Sequence, residues 1–161
     1  MTIDHQQEEV RMSEHRDVVD IGAGQVAQPA RPSTLLASGV AELAAGALTG
    51  WVYTFAKTQP DRARDLGIIS TARIRQWHLD LAMLGTATVA LAVAVPDAPR
   101  PVAAALGVGA WSNAMFFLPL AFKPDLDKHP VFLAGVVTSF AATSVGFSGM
   151  AATVFARRRT R

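Results

Sequence analysis

Between Leu35 and Phe155 the sequence carries four apolar blocks separated by short charged or proline-rich breaks, and this alternation decides what the chain can fold into. At 1.5 Å of rise per residue, about 20 apolar residues cross a hydrocarbon core of about 30 Å. Each block comes close to or exceeds that length. No water reaches the backbone inside a bilayer, so every N–H and C=O must be satisfied within the segment, which for blocks of this kind means helix. The expected fold is all-α: an integral membrane four-helix bundle with a disordered N-terminal tail. The spans are expected at about 35–56, 77–95, 102–122 and 131–156, within a transmembrane domain covering 34–156, followed by a basic C-terminal tail at 157–161.

Residues 1–33 are rich in Glu, Asp, Gln and Arg and end in Pro-Ala-Arg-Pro. Such a segment buries too little apolar area to offset its ordering entropy, which makes it a disordered polar tail. Six acidic residues precede the first apolar block, so it does not read as a cleavable signal. His5 and His15 fall in this tail as solvated bystanders.

The breaks set the topology. Three prolines within Pro96-Asp97-Ala98-Pro99-Arg100-Pro101 forbid a continuous helix and make spans two and three a tight antiparallel hairpin. The loop at 57–76 has room for a short interfacial helix around Ala63 to Ile69, and Pro119 is expected to kink the end of span three. Gly46 and Gly50 are spaced as GxxxG, a face suited to close helix approach and to self-assembly. Lys and Arg divide almost evenly between the two sides, and Arg157-Arg158-Arg159 directly after span four tips both termini to the cytoplasm.

Composition closes several functional classes. The chain has no cysteine, which excludes disulfides, thiolate haem ligation, iron-sulfur clusters and cysteine nucleophiles. Its net charge of +2 comes from basic residues that flank apolar blocks and form no aromatic-interleaved surface, so the lipid bilayer and its anionic headgroups are the expected partner and nucleic acid is not. No phosphate loop, HExxH motif, Ser-His-Asp order or dinucleotide fingerprint is present.

What remains is a handful of polar residues inside apolar blocks, where each needs a reason. Glu42 lies well within span one, and a carboxylate at that depth pairs, is protonated or faces a polar cavity. His78 and Asp80 occupy the first turns of span two. At about 100° per residue His78 shares a face with Leu81, Ala82 and Gly85, while Asp80 points about 200° away, so the two form no local dyad. His78 is either a packing residue or a ligand or acid-base group. Asp80 either pairs with a basic residue of the following loop or serves chemistry. Asn113, in span three on a stripe with Gly109 and Phe117, either bridges helices or meets a ligand.

These residues give the chain a resemblance to a small family of four-span membrane isomerases, the styrene-oxide isomerases and hydroxylaminobenzene mutases. The points of likeness are the size, the four spans, an Arg-x-x-His at Arg75 and His78 opening span two, the glycine at Gly85, and a Trp-x-Asn at Trp111 and Asn113. The likeness covers roughly Leu35 to Ala156. It implies that His78 is the axial iron ligand of haem b near a subunit boundary in a trimeric homo-oligomer, with Asn113 lining the pocket of a small apolar substrate. The chemistry implied is Lewis-acid opening of an aryl epoxide at ferric iron with a 1,2-hydride shift to an aldehyde, or in the mutase branch rearrangement of a hydroxylamine to an aminophenol. The epoxide branch places an asparagine where this chain has Leu84, and an aspartate and a tyrosine where it has Gly109 and Phe117. Those departures leave the reaction itself open.

The candidate site is therefore Asn113 and Asp80 as catalytic residues and His78 as haem ligand, with Glu42 and Trp111 as further intramembrane polar groups. The leading expectation is a membrane isomerase, or a haem-binding relative of one, in a bacterial inner membrane. The alternatives are a non-enzymatic accessory membrane subunit and a small proton-coupled exporter that works through Glu42.

Overall fold

The computed structural model describes residues 32–159, which form an all-α bundle; the expected disordered tail, with His5 and His15, lies outside the described residues. Six α-helices follow one another: α1 (Thr34–Thr58), α2 (Pro60–Asp65), α3 (Thr71–Ala94), α4 (Arg100–Met115), α5 (Phe117–Phe122) and α6 (Pro130–Arg159), with a 3-10 turn at Pro124–Lys128 before the last. Four helical segments, Thr34–Thr58, Thr71–Ala94, Arg100–Phe122 and Pro130–Arg159, are long and apolar enough to cross a membrane.

Local chemistry explains the element boundaries. Ser33 caps α1 by accepting the Leu36 N–H at 3.1 Å, as expected of a hydroxyl at that position. Pro60 starts α2 at a position where its missing N–H costs nothing. This interfacial helix lies a few residues earlier than the expected 63–69, and the chain leaves it through Gly67 at φ 85°, a conformation that glycine adopts without strain. The next strand of chain is pinned to the end of the third span, because the N–H groups of Ile69 and Ser70 both donate to the Ala121 carbonyl at 2.8 and 3.0 Å. Ser70 then caps α3. As a result the second span begins at Thr71, six residues before the expected Trp77, and carries Arg73, Arg75 and Gln76 as helical turns.

The kink expected from Pro119 appears one turn earlier, at Phe116, where α4 gives way to α5. A proline at 119 gives no N–H to the Met115 carbonyl and its ring crowds that oxygen, so the break falls where the acceptor is orphaned. The last helix runs unbroken through Arg157 and Arg158 to Arg159, so most of the expected basic tail is its final turn. Arg157 pairs with Asp97 at 2.6 Å, tying that turn to the loop between α3 and α4.

Two antiparallel helix pairs carry the packing: α1 on α3, and α4 on α6. A Cβ at Gly46 would lie 2.7 Å from the Ala82 nitrogen, and one at Gly85 would lie 2.6 Å from the Leu43 nitrogen, so both contacts are backbone against backbone. In the second pair Gly109 meets Thr143 and Gly146 meets the Leu106 backbone in the same way. The Gly46 and Gly50 face is covered within the chain by Ala82 and His78, so the close helix approach expected of it is made inside the bundle. Apolar clusters close the bundle at either end: Leu35, Ala92, Val95, Leu106 and Met150 at one, and Ala56, Ala63, Ile68, Ile74 and Ala121 at the other.

This packing yields a contrast between two glycines. Gly85→Ala gains about 1 kcal/mol of helix propensity but forces two backbones apart, a cost of about 1–3 kcal/mol. We expect it to lower the thermal midpoint in mild detergent. A Cβ at Gly107 would meet only side-chain atoms of Leu35 and Ser38 at 3.6 and 3.8 Å, so Gly107→Ala should hold or raise the midpoint. Equal behaviour of the two variants in thermal scans would contradict the backbone contact at Gly85.

Candidate functional site

The face of α3 that packs on α1 runs from His78 through Leu81, Ala82 and Gly85, as its helical spacing predicts. His78 is half-buried. Its ring lies over Gly50, where a Cβ would stand 3.1 Å from Cε1, and stacks on Tyr53 with ring centroids 6.3 Å apart and planes 10° from parallel. Gly50 therefore serves the histidine, by leaving the space its ring occupies.

One carbonyl fixes the tautomer. His78 Nδ1 lies 2.7 Å from the Gly46 carbonyl oxygen, which only accepts, so Nδ1 carries the hydrogen and donates it. The Thr49 hydroxyl donates to the same oxygen at 2.9 Å, and its own oxygen stands 3.5 Å from Nδ1. Threonine, histidine and carbonyl thus form a closed triangle. In the neutral ring Nε2 is left with its lone pair uncommitted, the arrangement by which a backbone carbonyl orients a metal-ligating histidine. Further out, the Lys57 ammonium sits 5.9 Å over the Tyr53 ring.

The other candidates do not converge on His78. Asp80 is half-buried and lies on the side of α3 turned away from α1; among the described residues its side chain makes no hydrogen bond or ion pair, so the expected pairing with a loop cation is not formed. Asn113 lies one turn on from Gly109, whose face meets Thr143 of α6, and among the described residues its amide likewise bonds to no side chain. Trp111 is a strut between helices: its indole N–H donates to the Ser38 hydroxyl of α1 at 3.1 Å. Trp77 donates to the Met115 sulfur at 3.4 Å, holding the start of α3 to the end of α4.

Two of the positions at which the chain departs from the epoxide-isomerase pattern are committed to packing. At Gly109 any Cβ would collide with the Thr143 backbone, so an aspartate has no room there. Phe117 lies under the Arg73 guanidinium, 5.9 Å from the ring centroid.

Glu42 is fully buried at 0% exposure, and neither carboxylate oxygen has a hydrogen-bond partner. Of the three fates open to it from sequence, ion pairing is excluded among the described residues. Thr88, at 0% exposure and with its hydroxyl oxygen also unpartnered, was not singled out by sequence reasoning. The signal was present, since Thr88 continues the His78, Leu81, Gly85 stripe by one more step of three. Thr49 was missed for a different reason, because its role depends on a helix 29 residues away. Among the described residues no group of three or more His, Cys, Asp or Glu is placed to hold a metal ion.

Comparison with family models, with curated proteins and with solved structures gives no match for this chain.

The triangle around Gly46 predicts a spectroscopic signature. In protein labelled with 15N-histidine, the neutral His78 should show the Nδ1–H tautomer, and Thr49→Val should leave that tautomer in place because the carbonyl still accepts. An Nε2–H tautomer in the wild type would contradict the assignment.

Proposed function

We propose that the chain is a haem-binding membrane protein of the four-span isomerase type, acting on a small apolar aromatic molecule that partitions into the bilayer. The observation that supports it is the state of His78, a histidine at the membrane end of a bundle whose Nδ1–H is spent on the Gly46 carbonyl and whose Nε2 is free to bind a metal. A single such nitrogen would fit haem b, a group that asks the protein for as few as one iron ligand, here His78.

In this reading His78 would hold the iron through Nε2, while Gly46 and Thr49 set the ring's orientation and Gly50 keeps its place open. The Lys57 ammonium over Tyr53 has the charge that a propionate requires. Ferric haem, when bound, supplies a Lewis acid toward the oxygen of an epoxide or hydroxylamine. With Gly109 and Phe117 spent on packing, the chain offers no carboxylate or phenol at the positions where the epoxide branch has them. Asp80 and Asn113 are on other faces of the bundle, so they join His78 at one substrate only if a second copy of the chain completes the site. A homo-oligomer, a trimer by the resemblance, belongs to this proposal for that reason. So do an inner-membrane location and cytoplasmic termini, which rest on the arginines that close α6.

A second reading is favoured by one observation, the unpartnered Glu42 carboxyl, which is what a small proton-coupled exporter places in a span.

The deciding experiment is an absorption spectrum of the detergent-purified protein, oxidised and reduced, after haem supplementation. The wild type should show a Soret band that His78→Ala loses by tenfold or more while still inserting in the membrane. A colourless wild type, or equal haem content in the variant, would remove the ligand role and leave the exporter and accessory-subunit readings. Efflux lost in Glu42→Gln and kept in His78→Ala would select the exporter.

A further inference from the structure

The contacts between α1 and α3 fix an antiparallel register. Gly39 faces Thr88 and Val89, Leu43 faces Gly85, Gly46 faces Ala82, and Gly50 faces His78. Glu42 and Thr88 therefore sit on neighbouring turns of the same crossing. Helical side chains lean toward the N-terminus of their own helix. In an antiparallel pair that sends Glu42 toward the level of Gly39 and Thr88, and sends Thr88 back toward the level of Gly85 and Glu42. That lean brings the two side chains toward the same level of the crossing, yet neither serves as the other's hydrogen-bond partner. Three buried oxygens, two of a carboxyl and one of a hydroxyl, are left there without a partner.

Among the described residues no charge is placed to satisfy them. The face of α3 toward α1 carries His78, Leu81, Gly85, Thr88 and Ala92, of which only His78 titrates. It lies about two turns from Glu42 with its Nδ1–H given to Gly46. From α4 the residues that reach α1 are Gly107 and Trp111, both uncharged. The short α2 meets α1 at its far end, through Ala56 and Ala63. Asp80 is turned away. An ionised carboxylate in hydrocarbon with no counter-charge is not sustainable, and among the described residues nothing supplies the positive charge.

We infer that Glu42 and Thr88 form an intramembrane site for one monovalent cation, a proton or a sodium ion. The donors are all oxygen, which selects a hard cation. One carboxylate balances one positive charge; a divalent ion would leave the crossing charged. This site is separate from His78 and stands whichever function His78 serves.

The chain itself simplifies the test, because Glu42 is the one glutamate beyond Glu14. Full-length protein labelled with 13C-glutamate is reconstituted in phosphatidylcholine vesicles, and the infrared carboxyl bands are recorded in sodium-free neutral buffer and again with added sodium chloride. A proton site shows a Glu42 carboxylic-acid C=O band that sodium leaves unchanged and that raising the pH removes. A sodium site shows the same band converted to a carboxylate pair as sodium is added. Both are assigned by their loss in Glu42→Gln and by their survival in His78→Ala. Thr88→Val should shift the acid band or raise the sodium requirement at least tenfold. A Glu42 carboxylate band in sodium-free neutral buffer, indifferent to sodium, overturns the inference, and so does a Thr88→Val spectrum identical to the wild type in every condition. The label lies in four glutamates, Glu8, Glu9, Glu14 and Glu42, so the difference between wild type and Glu42→Gln identifies the Glu42 band.

Discussion

Helices in a bilayer gain nothing by hiding apolar surface from one another, since lipid tails are as apolar as leucine; what holds them together is how closely their backbones can approach. Here that approach is made at Gly46 against Ala82 and at Gly85 against Leu43. Everything of chemical interest in α1 and α3 follows from it. The contact brings the Gly46 carbonyl within reach of His78, one turn along, and it buries Glu42 so completely that among the described residues its carboxyl meets no hydrogen-bond partner. A bundle with leucine or valine at those glycines would hold the same helices farther apart and carry neither feature.

The second pair, α4 with α6, repeats the solution with different chemistry. Gly109 and Gly146 again admit backbone contact, and a hydroxyl bridge of 2.7 Å between Ser112 and Ser139 fastens the pair. Ser112 also donates to the Val108 carbonyl at 2.7 Å, which leaves Ser139 as the donor in the bridge. The two hydroxyls of this crossing are thus partnered, whereas the Glu42 carboxyl and the Thr88 hydroxyl of the first pair are not. That asymmetry locates the unspent chemistry of the molecule in the α1 and α3 crossing.

Much of the fold was legible because hydrocarbon imposes so few options: apolar length gave four spans, three prolines gave the α3 to α4 turn, and the helical period gave the His78, Ala82, Gly85 face. The beginning of α3 at Thr71 was not legible, because it depends on two N–H groups finding the Ala121 carbonyl in a segment some 50 residues on. The same holds for the site. His78 and Glu42 stood out as polar residues in apolar blocks, but which hydrogen His78 carries is decided by a carbonyl on another helix, and no sequence pattern marks a backbone oxygen. Gly46 and Gly50 read as a face for close helix approach, and they make one, but the spacing does not say that the neighbour is α3 of the same chain. Asn113 was grouped with His78 by resemblance and Asp80 as a second polar residue in the first turns of span two, and the helical faces separate both from His78 within one chain.

The 30 residues of α6 extend about 45 Å, well beyond the hydrocarbon thickness that the 23 residues from Arg100 to Phe122 cross with little to spare. Arg157 is held at the level of the α3 to α4 loop by Asp97, and Pro130 follows directly on the turn at the opposite surface, so the surplus has no loop in which to be stored. It is taken up as tilt or as thickening of the surrounding lipid, each at a fraction of a kcal/mol per Å. Of the four spans α6 is the one matched to a thick membrane, and the lipid beside it carries the mismatch.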